Sequence, residues 1–180
     1  RNGKAFGKIA SIVNWGSNVE NSLSRKVLET TCDVHRDASL PKFHKKTFLE
    51  IDKNETPRLN SEAPGYGRKA AIYATCFVNY NNPSIGIAAV EVLNRNGVKT
   101  EVIYPSCCGM PQLEQGNITE VAKSAEKVAK ELRHWVDEGN DIIALTPSCA
   151  LMLKFEWPLL LPENEDVKAL AAATYDIDEY

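Results

Sequence analysis

Several things are missing from these 180 residues, and each absence excludes something. No run approaches the ~20 apolar residues that cross a bilayer. The opening residues, RNGKAFGK, lack the apolar stretch of a secretory signal. No Cys-x-x-Cys occurs, which argues against a structural zinc knuckle. There is no recognisable Ser/His/Asp set, glycine-rich phosphate loop or pair of acids, so an acid–base or nucleophilic enzyme has no visible machinery. Aromatic residues make up 8% and do not interleave with Lys and Arg, which speaks against nucleic acid as a partner.

What is present reads as an ordinary globular chain, 43% hydrophobic and 25% charged. The net charge of −3 hides an asymmetry. Residues 1–70 carry 13 Lys/Arg against 8 Asp/Glu, and residues 71–180 carry 8 against 16. A basic leading segment suits an anionic membrane surface or an acidic partner, and equally a solvated stretch.

The chain divides into two parts. Residues 1–68 read as helical and extended, linker-like sequence. An amphipathic basic helix is expected near 4–15, from Phe6, Ile9, Ala10 and Val13 beside Lys4 and Lys8. A second is expected over 18–31, with Asn21 or Ser22 as its start. Pro, Gly, Asn and charge then dominate up to residue 68. This part is too poor in apolar residues to fold on its own and should dock on the rest or on a partner.

Residues 69–180 read as strand–helix–strand–helix–strand–helix. AAIYATCF, VKTEVIY and DIIALT are the expected strands. PSIGIAAVEVLNR is a helix with Asn82 as cap, Pro83 in the first turn and Gly97 past the end. ITEVAKSAEKVAKELRHWVDEG carries one apolar stripe, Val121, Ala125, Val128, Leu132 and Trp135/Val136, closed by Gly139. A last helix, ALMLKFEW, should be broken by Pro158. The fold class is therefore α/β: a small parallel sheet with crossover helices, preceded by an irregular, helical N-terminal segment.

Five cysteines without an export signal argue against a disulfide framework. Cys76 closes the first expected strand, Cys107 and Cys108 follow the second, and Cys149 follows the third. All four fall at the carboxyl edge of a parallel sheet, where α/β proteins bind ligands. Strands ~4.8 Å apart let four thiols converge there. Thiolates select zinc or iron–sulfur. Adjacent Cys107 and Cys108 strain a one-ion tetrahedral site, so the chemistry leans to a multi-iron cluster, with zinc as the alternative. Thiol–disulfide exchange at Cys107–Cys108 is a third reading. Cys32, His35, His44 and His134 read as structural or surface residues. Asn79, Tyr80 and Asn81 could hydrogen-bond cluster sulfurs.

Cys76, the Cys107-Cys108-Gly109 triplet and Pro147-Ser148-Cys149 together resemble the cysteine-rich CCG domain of heterodisulfide reductase and related iron–sulfur oxidoreductases. CFVNYNNPSIGIAAVEVLNRNGV and the upstream VHRDASLPKFHKKTF resemble the anaerobic glycerol-3-phosphate dehydrogenase branch of that family. The resemblance implies a 4Fe–4S cluster on Cys76, Cys107, Cys108 and Cys149. It implies an electron-transfer component, not an independent catalyst, that takes electrons from a flavoprotein dehydrogenase subunit toward a membrane quinone. It also implies a cytoplasmic location, peripheral on the inner face of the cell membrane. Such proteins carry ferredoxin motifs and a second CCG domain, so the chain is expected to be a piece of a longer subunit. The family's closing Cys-x-x-Cys reads Cys149-Ala-Leu-Met152 here, which removes a fifth thiolate. The competing reading is a zinc-stabilised or metal-free interaction module without redox activity.

Overall fold

A computed structural model describes residues 3–53 and 58–180, the side chain of Lys4 excepted. The charge expected of Lys4 and the linker residues 54–57 therefore lie outside the described residues. Four parallel strands, β1 (Lys69–Tyr73), β2 (Lys99–Ile103), β3 (Asp141–Ala144) and β4 (Thr174–Asp176), form one sheet in the order β2-β1-β3-β4. β1 is central, pairing Ile72 with Val102 on one side and with Ile143 on the other.

Because a strand's side chains alternate between faces, β1 feeds two cores. Ala70 and Ile72 pack beneath α6 (Pro83–Arg95), against Val90 and Leu93. Ala71 and Tyr73 face α8 (Ile118–Asp137), against Val121, Ala125, Val128 and Leu132. A sheet covered on both faces explains why β1 and β3 read as continuous apolar runs. Gly97 and Gly139, with φ of 86° and 79°, end the two helices in the left-handed conformation expected of them. Asn82 does precede α6, but its side chain accepts from Ser84 Oγ and caps no amide.

The end of the chain departs from expectation. Pro158 does not break its helix. The chain runs through α9 (Pro147–Leu151), a π-helical turn (Met152–Glu156) and α10 (Trp157–Leu160). A proline clashes with the carbonyl four residues back, here Lys154, and the widened turn accommodates it. A further helix, α11 (Glu165–Ala173), is capped by Asn164 Oδ1 and leads into β4.

The N-terminal residues build α1 (Gly3–Lys8), α2 (Ala10–Ser17) and α3 (Ser22–Cys32), the last capped by Asn21. Arg25 is buried, and its guanidinium donates to the carbonyls of Arg36, His35 and Ala38 at 2.7, 2.8 and 2.6 Å. α4 (Phe48–Asp52) starts with a capping box between Thr47 and Glu50. It drives the fully buried Phe48 into the α6 side of the sheet, over Gly86.

Candidate metal centre at the carboxyl edge of the sheet

The first crossover, through α6, carries the chain from β1 out to β2. The second, through α8, returns it across the other face to β3. This reversal opens a crevice at the carboxyl ends of β1 and β3, the usual ligand position in such sheets. Thr75 follows β1 and Thr146 follows β3, and their hydroxyls meet across the crevice at 2.8 Å. Each threonine stands immediately before a short helix. Cys76 is the first residue of α5 (Cys76–Tyr80), three residues beyond the end of β1. Cys149 lies in the first turn of α9.

Cys107 and Cys108 occupy the loop between β2 and α7 (Met110–Glu114). Two buried side chains pin this loop from below. The Tyr73 phenol donates to the carbonyl of Ser106 at 2.5 Å, and Trp157 Nε1 donates to the carbonyl of Cys108 at 3.1 Å. Gly109 turns the chain into α7 with φ of 88°. A Cβ there would meet nothing closer than 3.5 Å. The glycine is thus needed for its backbone conformation.

The four sequence-predicted cysteines come together as a row. Cys76 and Cys107 sulfurs are 4.0 Å apart, and Cys108 and Cys149 sulfurs are 3.2 Å apart. Cys107 and Cys108, adjacent in the chain, join the two pairs. Cys76 and Cys107 are half-buried, whereas Cys108 and Cys149 sink into the α8 core beside Met152. The row therefore runs from an accessible end to a dry one.

Its proton distribution follows from that crowding. Hydrogen bonds from Cys108 and then Cys76 hold the Cys107 thiol far below the usual thiol range. Cys76 is pushed up by its bond to Cys107 and by burial. Cys108 is pushed up by its bonds to Cys107 and Cys149 and by burial. Crowding thus favours ionisation of Cys107 over that of Cys76 and Cys108.

The other sequence candidates fall elsewhere. Cys32 is exposed at the last position of α3. His134 lies against Trp135, ring centroids 3.5 Å apart. Asn79 Oδ1 accepts from the Leu49 amide, and Asn81 Nδ2 donates to the Lys42 carbonyl. Both tether the N-terminal part. Met152 is fully buried and packs as core. Sequence reasoning missed Thr75, Thr146, Tyr73 and Trp157, which position the cysteine loops. Only the threonine standing between each inner strand and its cysteine could have pointed to the first two.

Residues 70–154 match the family of the cysteine-rich CCG domain. This part of the chain belongs to that family. Similar curated proteins include an anaerobic glycerol-3-phosphate dehydrogenase subunit of Escherichia coli (strain K12), 28% identical over 163 residues, covering 89% of this chain and 39% of that protein. Lactate utilization protein A of Bacillus pumilus is 32% identical over 119 residues, covering 62% of this chain and 47% of that protein. A fumarate reductase (CoM/CoB) subunit of Methanothermobacter marburgensis is 26% identical over 161 residues, covering 84% of this chain and 32% of that protein. The chain thus spans less than half the length of each. No solved structure matches it significantly.

Proposed function

We propose that the CCG domain holds an iron–sulfur cluster on Cys76, Cys107, Cys108 and Cys149, and serves as the electron-transfer part of a dehydrogenase or reductase complex. The row of four thiols at the sheet's switch point carries this reading. A 4Fe–4S cluster takes one cysteine sulfur on each iron, so the sulfurs, 4.0 Å apart at Cys76–Cys107 and 3.2 Å at Cys108–Cys149, would spread apart as the cluster loads. Among the described residues no three His, Cys, Asp or Glu are grouped as for a single metal ion. A row suits several metal atoms better than one zinc ion. Four thiolates are enough for a cluster of the 4Fe–4S type, which is the type we assign.

Bound there, the cluster would supply one-electron chemistry. The chain's own residues do the rest. Cys107, whose ionisation its neighbours favour, gives up its proton more readily than Cys76 or Cys108. Tyr73 and Trp157 fix the backbone of the Cys107–Cys108 loop. Met152, Val121 and Trp157 keep water from the deep end of the row, and exclusion of water and hydrogen bonding set a cluster's potential. Names of the relatives point to a partner subunit, for which we favour a flavoprotein dehydrogenase as donor and a membrane quinone as acceptor. The location we assign is the inner face of the cell membrane. No helix among the described residues is long and apolar enough to cross it.

Anaerobic purification with assay of iron and acid-labile sulfide, followed by electron paramagnetic resonance after reduction, tests the assignment. Substitution of each of the four cysteines by serine should abolish or sharply lower iron content, and Cys32→Ser should leave it unchanged. Stoichiometric zinc with no redox-active signal would establish the interaction-module reading instead.

A further inference from the structure

A cavity of about 710 Å³ opens beside the accessible end of the cysteine row. Cys76 and Cys107 line it, and Cys108 and Cys149 do not. Part of its wall comes from the N-terminal segment: Phe6 of α1, and Phe43 of a strap at residues 42–44. The two rings meet edge to face, their centroids 5.2 Å apart.

The strap is fastened to the end of α5, the helix that begins with Cys76. The His44 amide donates to the carbonyl of Tyr80 at 2.9 Å, and Asn81 Nδ2 donates to the carbonyl of Lys42 at 3.0 Å. In turn, α1 and α2 are fastened to the strap. Asn14 Nδ2 donates to the Phe43 carbonyl and Asn14 Oδ1 accepts from the Phe43 amide, both at 2.8 Å. Gly7 of α1 is buried against the His44 carbonyl, where an added Cβ would come within 3.3 Å.

Beyond this clasp the two helices have little to hold them. They are six and eight residues long, and helices of that length are marginal in water. Among their described residues only Gly7 and Ala10 are buried. Segments with so little buried surface open locally at small cost. α2 ends at Asn18 in extended backbone, with φ of −66° and ψ of 129°, which gives the pair a joint with α3.

We propose that α1 and α2 form a lid over the accessible end of the cysteine row, closed by the clasp of Asn14 on Phe43. Opening withdraws Phe6 from the cavity wall and admits solutes to Cys76 and Cys107, while Cys108 and Cys149 stay enclosed in the α8 core. The lid thereby sets how fast a metal donor or an oxidant reaches the row. It goes beyond the electron-transfer reading and does not depend on it, because its fastenings are all protein.

Timed alkylation of the reduced, iron-free 180-residue chain with iodoacetamide tests the lid, each cysteine being followed by peptide mass spectrometry. When reclosing is fast, the rate at a covered thiol tracks the open population. Asn14→Leu removes both hydrogen bonds at similar side-chain shape and should speed Cys76 and Cys107 about tenfold. Gly7→Val, which wedges α1 off the His44 carbonyl, should act in the same direction. Cys32, exposed at the end of α3, is the internal standard and should not change. Cys108 and Cys149 should stay slow, which separates lid opening from unfolding. Unchanged rates at Cys76 and Cys107 in both variants would overturn the proposal. So would an equal acceleration of all four cysteines of the row, since α1 and α2 would then belong to the cooperative fold. Iron assay on separately loaded protein reads the cluster. A chain that takes up no iron but shows the selective acceleration refutes the cluster alone, and a chain that loads iron without it refutes the lid alone.

Discussion

Trp157 Nε1 donates to the carbonyl of Cys108 across 3.1 Å, although the two residues lie 49 positions apart. Both are buried, so no water replaces the bond when it is lost. Trp157→Phe should leave that carbonyl unpaired and destabilise the protein by about 1–3 kcal/mol. For a chain of this size, thermal unfolding should fall by roughly 3–10 °C. Iron retention after anaerobic desalting should fall as well, because the loop carrying Cys107 and Cys108 loses a fixed point. Tyr73→Phe, which removes the bond to Ser106, should act in the same direction. Full iron retention in both variants would show that the loop needs neither anchor.

A second consequence concerns the seam between α4 and α6. A Cβ added at Gly86 would lie 2.6 Å from three ring atoms of Phe48. Phe48 is fully buried, so its ring has little freedom to withdraw. Gly86→Ala should therefore cost about 1–3 kcal/mol through overpacking, despite alanine's better helix propensity. Combined with Phe48→Leu, the second substitution should cost less than on its own. Strict additivity in a denaturant-unfolding double-mutant cycle would refute this contact.

How much of this was legible beforehand depends on the length of the pattern. The first three strands, α6 and α8 were readable because their patterns are long and Gly97 and Gly139 mark the helix ends. β4 escaped, being three residues long and preceded by the alanine-rich run of α11. Pro158 misled because a proline's local veto on helix is relieved by a π turn, which depends on packing and not on sequence neighbours. The four cysteines were placed at the sheet edge correctly by counting strand ends. Arg25 and Trp157 were invisible as anchors, since their acceptors are backbone carbonyls brought near only by the fold. The contacts of Asn79 and Asn81 with Leu49 and Lys42 were invisible for the same reason.

Asp52 offers a pH-dependent readout remote from the cysteines. Burial alone holds its carboxyl above the ordinary carboxylate range. It is also the last residue of α4, where the helix dipole disfavours negative charge. A raised folded-state value means that stability is fully present below the unfolded value of ~3.9 and is lost as pH rises through the folded one. Asp52→Asn should therefore raise the melting temperature by about 1–2 °C at pH 7. The advantage should vanish as the pH falls toward 3. An advantage that persists at pH 3 would assign the effect to packing instead of charge.

The surface of α2 and α3 makes the last prediction. Ile12, Trp15 and Leu23 are 68, 67 and 78% exposed, and Val19 and Val27 extend the same apolar display. Surfaces of this kind on a monomer mark contact with another body. Lys42, Lys45 and Lys46 are also exposed in the same N-terminal part, and exposed apolar and basic residues together suit an anionic lipid surface. Vesicles containing about one-third anionic lipid should pellet the protein, with a blue shift of fluorescence that Trp15→Phe removes. Ile12→Glu and Leu23→Glu should each reduce pelleting severalfold, and added salt should reduce it in part, since screening weakens the lysines but not the apolar residues. If neither variant changes pelleting, the face does not meet lipid. If light scattering shows a dimer that Leu23→Glu dissociates, its partner is a second copy of the chain.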